Sequence, residues 1–402
     1  MAAARRTLAY GLTANVVVLG VVSLFTDISS EMIVPILPFF LTQVLLANAL
    51  IVGLVEGLSD SVVSFMKIFS GRLSDAAGKR KRFVATGYGL STAMKVLFPF
   101  AQSWPEFLGM RVLERTGKGI RDAPRDALLT ESTPAETRGK AFGFHRSMDT
   151  SGAIAGPIVT LLLLTTVGAA MTVESAYRMV LLLAAFPAVI SVLIVMFVKE
   201  PAREPSPPKP LRVAFRGIPR PLLVFIGIAS VFSLADFSYA FLLLRAVPQS
   251  GSPQAIVQAI LLYVLFNVVY AANAFPAGIL SDRVGRKPVV LLGYVLFVAM
   301  AVLLAVSTEL IVLIVGFVLY GLAYGMAEGT QRALVADFAP PETKATVLGA
   351  YHTSVGVVKL ASGLVAGFLW VAVSPSATFA FGAVLASASA VALSFWHPTV
   401  KS

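Results

Sequence analysis

The chain has 402 residues, of which 57% are hydrophobic and only 13% charged, a balance that excludes an ordinary soluble globular protein. It contains no cysteine, which excludes disulfides, thiolate chemistry and cysteine-ligated metals, and its three histidines are too scattered to predict a metal site. A formal net charge of +11 can indicate nucleic-acid binding, but the placement of the basic residues favours a membrane topology instead.

Apolar stretches follow one another along the whole chain, separated by polar turns. The longest, such as "MVLLLAAFPAVISVLIVMFV" at 179–198, can cross a bilayer core of about 30 Å as a helix. Twelve stretches are found, centred near residues 28, 59, 93, 118, 153, 187, 233, 266, 297, 323, 358 and 387. The pattern predicts an all-α integral membrane protein with twelve transmembrane helices.

Lysine and arginine are concentrated in alternate loops. The loops around residues 45, 104, 171, 250, 308 and 374 hold essentially none. The other loops and the tails hold Arg5, Arg6, Arg72, Lys79, Arg80, Lys81, Arg82, Arg138, Lys140, Lys199, Arg203, Lys209, Arg212, Arg216, Arg283, Arg286, Lys287, Lys344 and Lys401. By the positive-inside rule, both termini are expected on the cytoplasmic side of a bacterial-type inner (plasma) membrane. The basic N-terminus lacks a clear cleavage site and is expected to be retained.

Carboxylates occur within the first two spans. In span one, Asp27 and Glu31 stand four residues apart and therefore share one helix face. In span two, Glu56, Asp60 and Lys67 also share a face. Because an ionised group in hydrocarbon is costly, such residues are expected to face partners or water. Asp27 and Glu31 are the candidates for proton binding, whereas Asp60 and Lys67 are interpreted as structural ion-pair members.

A repeat divides the chain. "GRLSDAAGKRKR" at 71–82 returns as "GILSDRVGRKPV" at 278–289, and "ESTPAETRGKAFG" at 131–143 returns as "DFAPPETKATVLG" at 337–349. The nearly equal offsets predict a six-span unit used twice. The expected organisation is an N-terminal six-helix bundle at 1–198, a cytoplasmic linker rich in proline and charge at 199–220, and a C-terminal six-helix bundle at 221–402.

Span four carries an unusual amount of charge. At 100° per residue its eight charged side chains fall within an arc of about 140°, and apolar residues occupy the rest. They are Arg111, Glu114, Arg115, Lys118, Arg121, Asp122, Arg125 and Asp126. We interpret Arg111, Arg115 and Lys118 as a cavity wall, and expect the turns from Arg121 onward to reach the cytoplasmic headgroups, with Asp122, Arg125 and Asp126 in ion pairs. Spans one, two and five are expected to supply the acidic partners of this basic set.

Span five and the second half add further polar residues. Span five carries His145, Arg146 and Asp149 near "SGAIAGP", which contains Gly152, Gly156 and Pro157. In the second half, the ionisable or amide groups in apolar surroundings are Asp236, Glu328, Gln331, Arg332 and Lys359. Span eight contains Tyr263, Asn267, Tyr270 and Asn273. At such spacing tyrosine and asparagine serve as often in helix packing as in ligand contact.

Several of these elements resemble motifs of the major facilitator superfamily. "G-x-L-S-D-x-x-G-[KR]-[KR]" follows the second span of each half, and Arg115 with Gly119 matches the "R-x-x-x-G" motif of span four. "SGAIAGP" resembles the "G-x-x-x-G-P" motif associated with proton-driven antiporters, and "EMIVPILP" resembles the "D-x-x-x-P-x-x-P" pattern of drug/proton antiporters, with Glu31 in the acidic position. The chain departs from the family pattern at Ala76, where an arginine is usual, and after Pro157, where a pair of small residues is missing.

The resemblance implies roles for two further sets of residues. The loop motifs are interpreted as a conformational latch, with a solvated turn as the alternative. They contain Gly71, Asp75, Gly78, Lys79, Gly278, Asp282, Arg283, Gly285 and Arg286. Gly152, Gly156 and Pro157 are interpreted as a hinge in span five, with ordinary tight packing as the alternative.

The leading functional hypothesis is a proton-coupled secondary transporter working by alternating access. The antiporter-like motifs favour an exporter of a small organic solute, and the basic face of span four favours an anionic or zwitterionic one. The candidate substrate- or proton-binding residues are Asp27, Glu31, Glu56, Arg111, Arg115, Lys118, Asp149, Asp236, Glu328 and Lys359. The expected partners are the solute, protons and the lipid bilayer, with no nucleic acid, no cofactor, no metal and a monomeric state.

Other functions remain open. A proton-coupled importer of an organic anion or siderophore-like chelate is the close alternative, and a lipid-translocating or sensor protein represents another class. An enzyme is not predicted, because no catalytic triad, phosphate loop or metal cluster is found. "RTGKGIR" lacks the spacing of a phosphate loop, and no strand precedes it.

Overall fold

The computed structural model describes residues 12–200, 218–248, 251–339 and 344–396. Its regular elements are helices. The predicted linker at 199–220 lies mostly outside the described residues.

The helices follow the predicted order of spans. In the first half they are α1 (Ala14–Ile33), α2 (Leu37–Phe39), α3 (Ala49–Ala77), α4 (Arg80–Leu97), α5 (Trp104–Glu131), α6 (Arg138–Thr165) and α7 (Val173–Val195). In the second half they are α8 (Arg220–Ala235), α9 (Tyr239–Ala246), α10 (Pro253–Val284), α11 (Arg286–Val306), α12 (Leu310–Phe338), α13 (Lys344–Ala372) and α14 (Pro375–Phe395).

Ten stretches among the described residues are long and apolar enough to cross a membrane. Two of them join consecutive helices, since Ala14–Val44 contains α1 and α2 and Arg220–Ala246 contains α8 and α9. The two other long helices are less apolar, because α4 begins with three basic residues and α5 carries charge along its length. With these two the count reaches twelve, and the predicted all-α membrane fold is confirmed.

Two of the spans are interrupted. In the first, Pro35 and Pro38 follow the end of α1, and a proline both lacks a backbone N–H and clashes with the preceding helical turn. The seventh span breaks between α8 and α9 without a proline. There the hydroxyl of Ser238 accepts a hydrogen bond of 3.2 Å from the backbone N–H of Ala240 and so caps the new helix.

The chain divides into two compact units. Unit 1 comprises Met1–Phe40 and Val62–Pro210, and unit 2 comprises Leu41–Ser61 and Leu211–Ser402, in each case as far as these ranges are described. Helix α3 therefore contributes its first thirteen residues, 49–61, to unit 2 and the remainder to unit 1.

Glycines allow close packing of helices in both units. In unit 1, α4 packs on α5 and α1 packs on α6 and α7. A Cβ on Gly117 of α5 would lie 2.6 Å from the carbonyl oxygen of Gly87 on α4. In unit 2, a Cβ on Gly53 would clash with the carbonyl oxygen of Gly363. At such contacts the absence of a side chain sets how closely two backbones approach.

Two arginines lie near loops in which Lys and Arg are otherwise scarce, and both bind carbonyls at helix ends. Arg178 donates to the carbonyl oxygen of Ala101 at 2.8 Å, and Arg245 donates to that of Leu304 at 2.8 Å. These carbonyls belong to the last turns before chain reversals, where no intrahelical donor remains. Each arginine therefore satisfies a helix C-terminus within its own unit.

Replacing Gly117 with alanine is expected to destabilise the protein, because the new methyl group has no space between α4 and α5. Overpacking of this kind costs about 1–3 kcal/mol, which exceeds the gain of about 1 kcal/mol in helix propensity. The measurement is the midpoint of thermal unfolding of purified protein. Gly109 of the same helix is the matched control, since a Cβ there meets nothing within 4 Å. An equal midpoint for G117A and G109A would contradict the packing argument.

Candidate functional site

The charged face of α5 is turned into unit 1. Arg111, Glu114 and Arg115 are buried, with 1%, 1% and 7% of their surface exposed, while Leu113 on the apolar arc is 47% exposed. Arg121 and Asp122 are buried as well, with 3% and 5% of their surface exposed. The expectation that the turns from Arg121 onward reach the cytoplasmic headgroups stays a prediction. Exposure begins with the side chain of Asp126, at 53%.

Glu114 stands between two arginines of its own helix. Its Oε2 lies 3.1 Å from Nη1 of Arg111 and 3.5 Å from Nε of Arg115. A fully buried carboxylate is stable only with such compensation. A further cation, Lys95 of α4, interacts electrostatically with Glu114. We call these four residues the Glu114 cluster.

Lys95 was missed in the sequence, although it is almost completely buried. Its ammonium donates to the hydroxyls of Ser29 at 2.9 Å and Ser30 at 2.8 Å, both on α1. It thereby connects α4 with α1. A lone lysine in a membrane-spanning helix is itself a signal of function, and that signal was available.

Arg121 connects α5 with α4. Its Nη1 donates to the hydroxyl of Ser91 at 3.0 Å, and that hydroxyl in turn donates to the backbone carbonyl of Glu114 at 2.8 Å. The guanidinium also lies 4.3 Å from the centre of the Tyr88 ring, a cation–π contact. These contacts place Arg121 in a fixed position on the α4–α5 interface.

The lower part of the charged face forms ion pairs, as predicted for these residues. Lys67 Nζ lies 2.9 Å from Asp122 Oδ2, and Arg125 Nη2 lies 2.9 Å from Asp126 Oδ1. Both pairs lie in unit 1.

Asp27 and Glu31 lie half-buried on α1, close to a set of charged groups. Asp27 interacts electrostatically with Asp149, Lys118, Glu31 and Arg121. Two acids and two bases around one carboxylate make its charge state dependent on its neighbours.

On α6, Asp149 accepts a short hydrogen bond from Ser23 of α1. Its other oxygen lies 3.5 Å from Nδ1 of the buried His145. Asp149 therefore connects α6 with α1 beside Asp27.

The glycines of span five pack directly against the two candidate proton carboxylates. A Cβ on Gly152 would lie 2.8 Å from Cβ of Asp27, and one on Gly156 would lie 2.7 Å from Cβ of Glu31. Helix α6 continues through Pro157 without interruption. The tight packing that the sequence offered as an alternative to a hinge is thus present, and it occurs at the two turns of α1 that carry the carboxylates.

In unit 1, the loop motif forms a three-residue charge cluster. Arg80 Nη2 lies 2.9 Å from Asp75 Oδ1 and 3.1 Å from Glu131 Oε1. The turn before α4 depends on Gly78, whose φ of +63° favours glycine. This cluster joins the ends of α3 and α5 to the start of α4. Lys79, by contrast, is exposed.

In unit 2, the repeated motif forms a similar cluster. Arg286 pairs with Asp282 and lies 3.1 Å from Asp337 Oδ2. Gly285 has a φ of +95°, whereas a Cβ on Gly278 would meet nothing within 4 Å and Arg283 is exposed.

The acids that complete the two clusters were missed, although a sequence signal existed for them. Glu131 and Asp337 are the first residues of the second repeated segment, so they occupy equivalent positions in the two halves.

In unit 2, a polar cluster lies at the break between α8 and α9. Lys359 Nζ donates to Asp236 Oδ2 at 2.7 Å and to the backbone carbonyl oxygen of Asp236 at 2.5 Å. The hydroxyl of Tyr320 donates to the other carboxylate oxygen at 3.3 Å. The lysine therefore satisfies both an ionised side chain and the end of α8.

Glu56 lies in unit 2. Its Oε2 accepts a hydrogen bond of 3.0 Å from the hydroxyl of Ser238, next to the helix break. The expectation that Glu56 pairs with the basic face of span four stays a prediction.

The polar residues of span eight divide into two kinds. Asn267 donates to a carbonyl of its own helix and Asn273 donates to the carbonyl of Leu322 at 3.0 Å, so both serve helix packing. Tyr270 instead donates to Glu328 Oε2 at 2.8 Å, and Arg332 pairs with the same carboxylate. Glu328 is thus joined to α10 through a tyrosine hydroxyl.

Comparison with known proteins identifies the family. The model of the Major Facilitator Superfamily matches residues 19–255 and 228–402. The chain is 40% identical over 392 residues to an uncharacterised MFS-type transporter of Methanocaldococcus jannaschii, covering 96% of this chain and 95% of that protein. It is 28% identical over 291 residues to a probable 4-methylmuconolactone transporter of Cupriavidus pinatubonensis, covering 70% of this chain and 66% of that protein.

Solved structures agree on the fold. A POT family transporter in complex with 5-aminolevulinic acid superposes with a TM-score of 0.82 at 10% identity, covering 98% of both chains. Proteins of this family and fold are transporters and not enzymes. The chain therefore belongs to the Major Facilitator Superfamily and is a secondary transporter.

Proposed function

We propose that the protein is a proton-coupled transporter of a small organic anion or zwitterion, which carries the solute and protons in the same direction by alternating access. One observation carries the proposal: unit 1 contains an array of buried and half-buried charges that includes both candidate proton carboxylates and the basic face of α5. On the proposed topology, with both termini in the cytoplasm of a bacterial-type cell, the protein acts as a monomer in the inner membrane.

The array provides a physical basis for coupling. Asp27 lies within electrostatic range of Lys118 and Arg121, so its affinity for a proton depends on how close these cations are. A solute anion that binds the α5 cations would weaken their hold on the carboxylate, and a proton on the carboxylate would release cations for new partners. Proton and anion therefore favour each other's binding through the same charges, which is the linkage expected of cotransport.

The basic excess on α5 favours an anionic group in the solute. Along its buried face Arg111, Arg115 and Arg121 accompany Glu114, and Asp122 is already paired with Lys67. Arginine binds carboxylates through two parallel N–H donors, which suits an organic acid. The relative named for transport of 4-methylmuconolactone supports a small organic solute of this kind.

The two loop clusters are proposed to act as latches. Each holds three helix ends of its unit together by one arginine between two acids, and each contains a glycine with positive φ. Breaking such a cluster would release the helix ends from one arrangement and shift the balance of conformations.

Replacing Glu31 with glutamine is expected to abolish flux driven by a proton gradient, because the amide cannot take up and release a proton. Solute–solute exchange without a gradient is expected to persist. The measurement is flux in proteoliposomes of a solute chosen by a thermal-shift screen of organic anions and cations at two pH values. Glu174→Gln, on an exposed side chain paired with Arg178, is the control. Undiminished gradient dependence in E31Q would remove Glu31 from the coupling mechanism.

Replacing Arg115 with alanine is expected to weaken binding of the same solute by about 10- to 100-fold, the usual effect of losing a charge-assisted hydrogen bond. The measurement is calorimetric titration of purified protein. Arg125→Ala is the matched control, since Arg125 lies on the same helix but pairs with Asp126. Equal affinities in the two variants would place the solute away from Arg115.

Replacing Asp75 or Asp282 with asparagine is expected to shift the balance between inward-open and outward-open states, because each change removes one ion pair from a latch. Spin-label distances across the cytoplasmic and the opposite ends of the helices measure this balance. Lys79→Gln, an exposed change in the same motif, is the control. If the distance distributions of both asparagine variants match the wild type, the motifs are turns without a latch role.

A further inference from the structure

Six aromatic side chains form a continuous cluster in unit 2, which we call the ring wall. They come from the start of α9 and from facing turns of α10 and α12, and they are Tyr239, Tyr263, Phe266, Tyr270, Tyr320 and Tyr324. The ring of Phe266 is stacked on that of Tyr320 at 4.9 Å between centroids, and the remaining neighbours lie 5.5–6.2 Å apart. These are ordinary separations for interacting rings.

The ring wall is only partly buried. Tyr263, Phe266 and Tyr320 are 2%, 6% and 3% exposed and form its inner layer. Tyr239, Tyr270 and Tyr324 are half-buried, so part of each ring is available for contact. A second aromatic cluster of the unit has a different composition, since Phe237, Phe241 and Phe379 are buried and only Trp370 beside them is half-buried. That second cluster contains no phenol, whereas the ring wall contains five, three of them half-buried.

Both ends of the ring wall bind carboxylates. Tyr320 donates to Asp236 at one end, and Tyr270 donates to Glu328 at the other. Tyr320 and Tyr324 precede Glu328 at helical spacings of eight and four residues, so the three share one face of α12. An apolar aromatic surface with a few polar groups at its ends is the usual composition of a small-molecule site.

Lys359 supplies a cation beside the ring wall. Two of its three N–H donors go to Asp236, which also accepts from Tyr320, and its side chain is 20% exposed. An ammonium group has three donors, so one remains for an oxygen acceptor. This cation lies at the break between α8 and α9, and a discontinuous helix near the middle of a span is where transporters of several folds bind their solutes.

We propose that the ring wall and Lys359 bind an aromatic carboxylate, whose ring lies against Tyr239, Tyr270 and Tyr324 and whose acid group accepts from Lys359. The site lies in unit 2 alone and is separate from the α5 cations of unit 1, so it is an additional binding site and does not depend on which solute those cations hold. Its ligand class is defined by a planar π-system that carries one carboxylate. A saturated ring of the same size and charge fills the same volume but offers no π face. Comparing the affinities of an aromatic and a saturated carboxylate therefore distinguishes this site from a general apolar surface.

The test is equilibrium binding to the full-length protein in lipid nanodiscs, by calorimetry at one fixed pH and without a gradient. The probes are benzoate, cyclohexanecarboxylate and benzamide, with empty nanodiscs as the blank. Benzoate is expected to bind about three- to tenfold more tightly than cyclohexanecarboxylate because of ring stacking, and at least about tenfold more tightly than uncharged benzamide.

Variants assign each preference to its residues. Tyr324→Leu is expected to remove the preference for benzoate over cyclohexanecarboxylate, Tyr324→Phe to retain it, and Phe275→Leu to leave it unchanged. Phe275 is the matched control because it lies on α10 with 76% of its surface exposed. The double variant Asp236→Asn/Lys359→Gln keeps the helix break free of an unpaired charge and is expected to remove the preference for benzoate over benzamide.

Three results would overturn the proposal or the part of it that concerns Lys359. One is equal binding of benzoate and cyclohexanecarboxylate, or no binding of either, by wild-type protein. Another is an unchanged ring preference in Tyr324→Leu. If the double variant alone keeps the acid preference, Lys359 does not hold the carboxylate. Because these measurements use no proton gradient, they remain valid if E31Q shows that the coupling assignment fails.

Discussion

The structure of unit 1 depends on the need to compensate charges that α5 carries into an apolar interior. Removing an ion from water costs several kcal/mol even after relaxation, so every buried charge on this helix requires partners at short range. Glu114 provides one centre of compensation for Arg111 and Arg115. This need also accounts for polar residues elsewhere that have no other explanation. The hydroxyl of Ser91 on α4 accepts a hydrogen bond from Arg121, and the hydroxyls of Ser29 and Ser30 on α1 accept hydrogen bonds from Lys95.

Close backbone contact is what allows these short side chains to reach their partners. Ser91 can reach the backbone carbonyl of Glu114 because Gly117, one turn away, lets α4 approach α5. The glycines of α6 have the same effect on α1, bringing Asp149 to Ser23 and fixing the turns that carry Asp27 and Glu31. Small residues and buried charges are therefore two parts of one arrangement: the glycines set the helix separation, and that separation determines which charges meet.

The sequence predicted the fold more completely than the site. Length and hydropathy of the spans predicted twelve helices, and the repeat predicted a six-span unit used twice. Helical angles also placed the charges of α5 on one face. They could not show which helix lies opposite that face, because the angle of a residue about its own axis carries no information on neighbours. For this reason the contact of Lys95 with α1 and the hydrogen bond between Ser238 and Glu56 were not predicted.

The same limitation explains why the ring wall was not predicted. Tyr263 and Tyr270 of α10 could be seen to share a face, but Tyr320 and Tyr324 lie about fifty residues further on, and only folding brings the two pairs together. The two units have kept the same loop cluster while differing in the interior of their helices, with charge on α5 of unit 1 and tyrosine on the equivalent helix α12 of unit 2. The proposed latches would have to work alike in both halves of a repeat, whereas the proposed proton binding and ring binding require different chemistry. A division of proton binding and ring binding between the two units would therefore produce this pattern, in which the loop clusters match and the helix interiors differ.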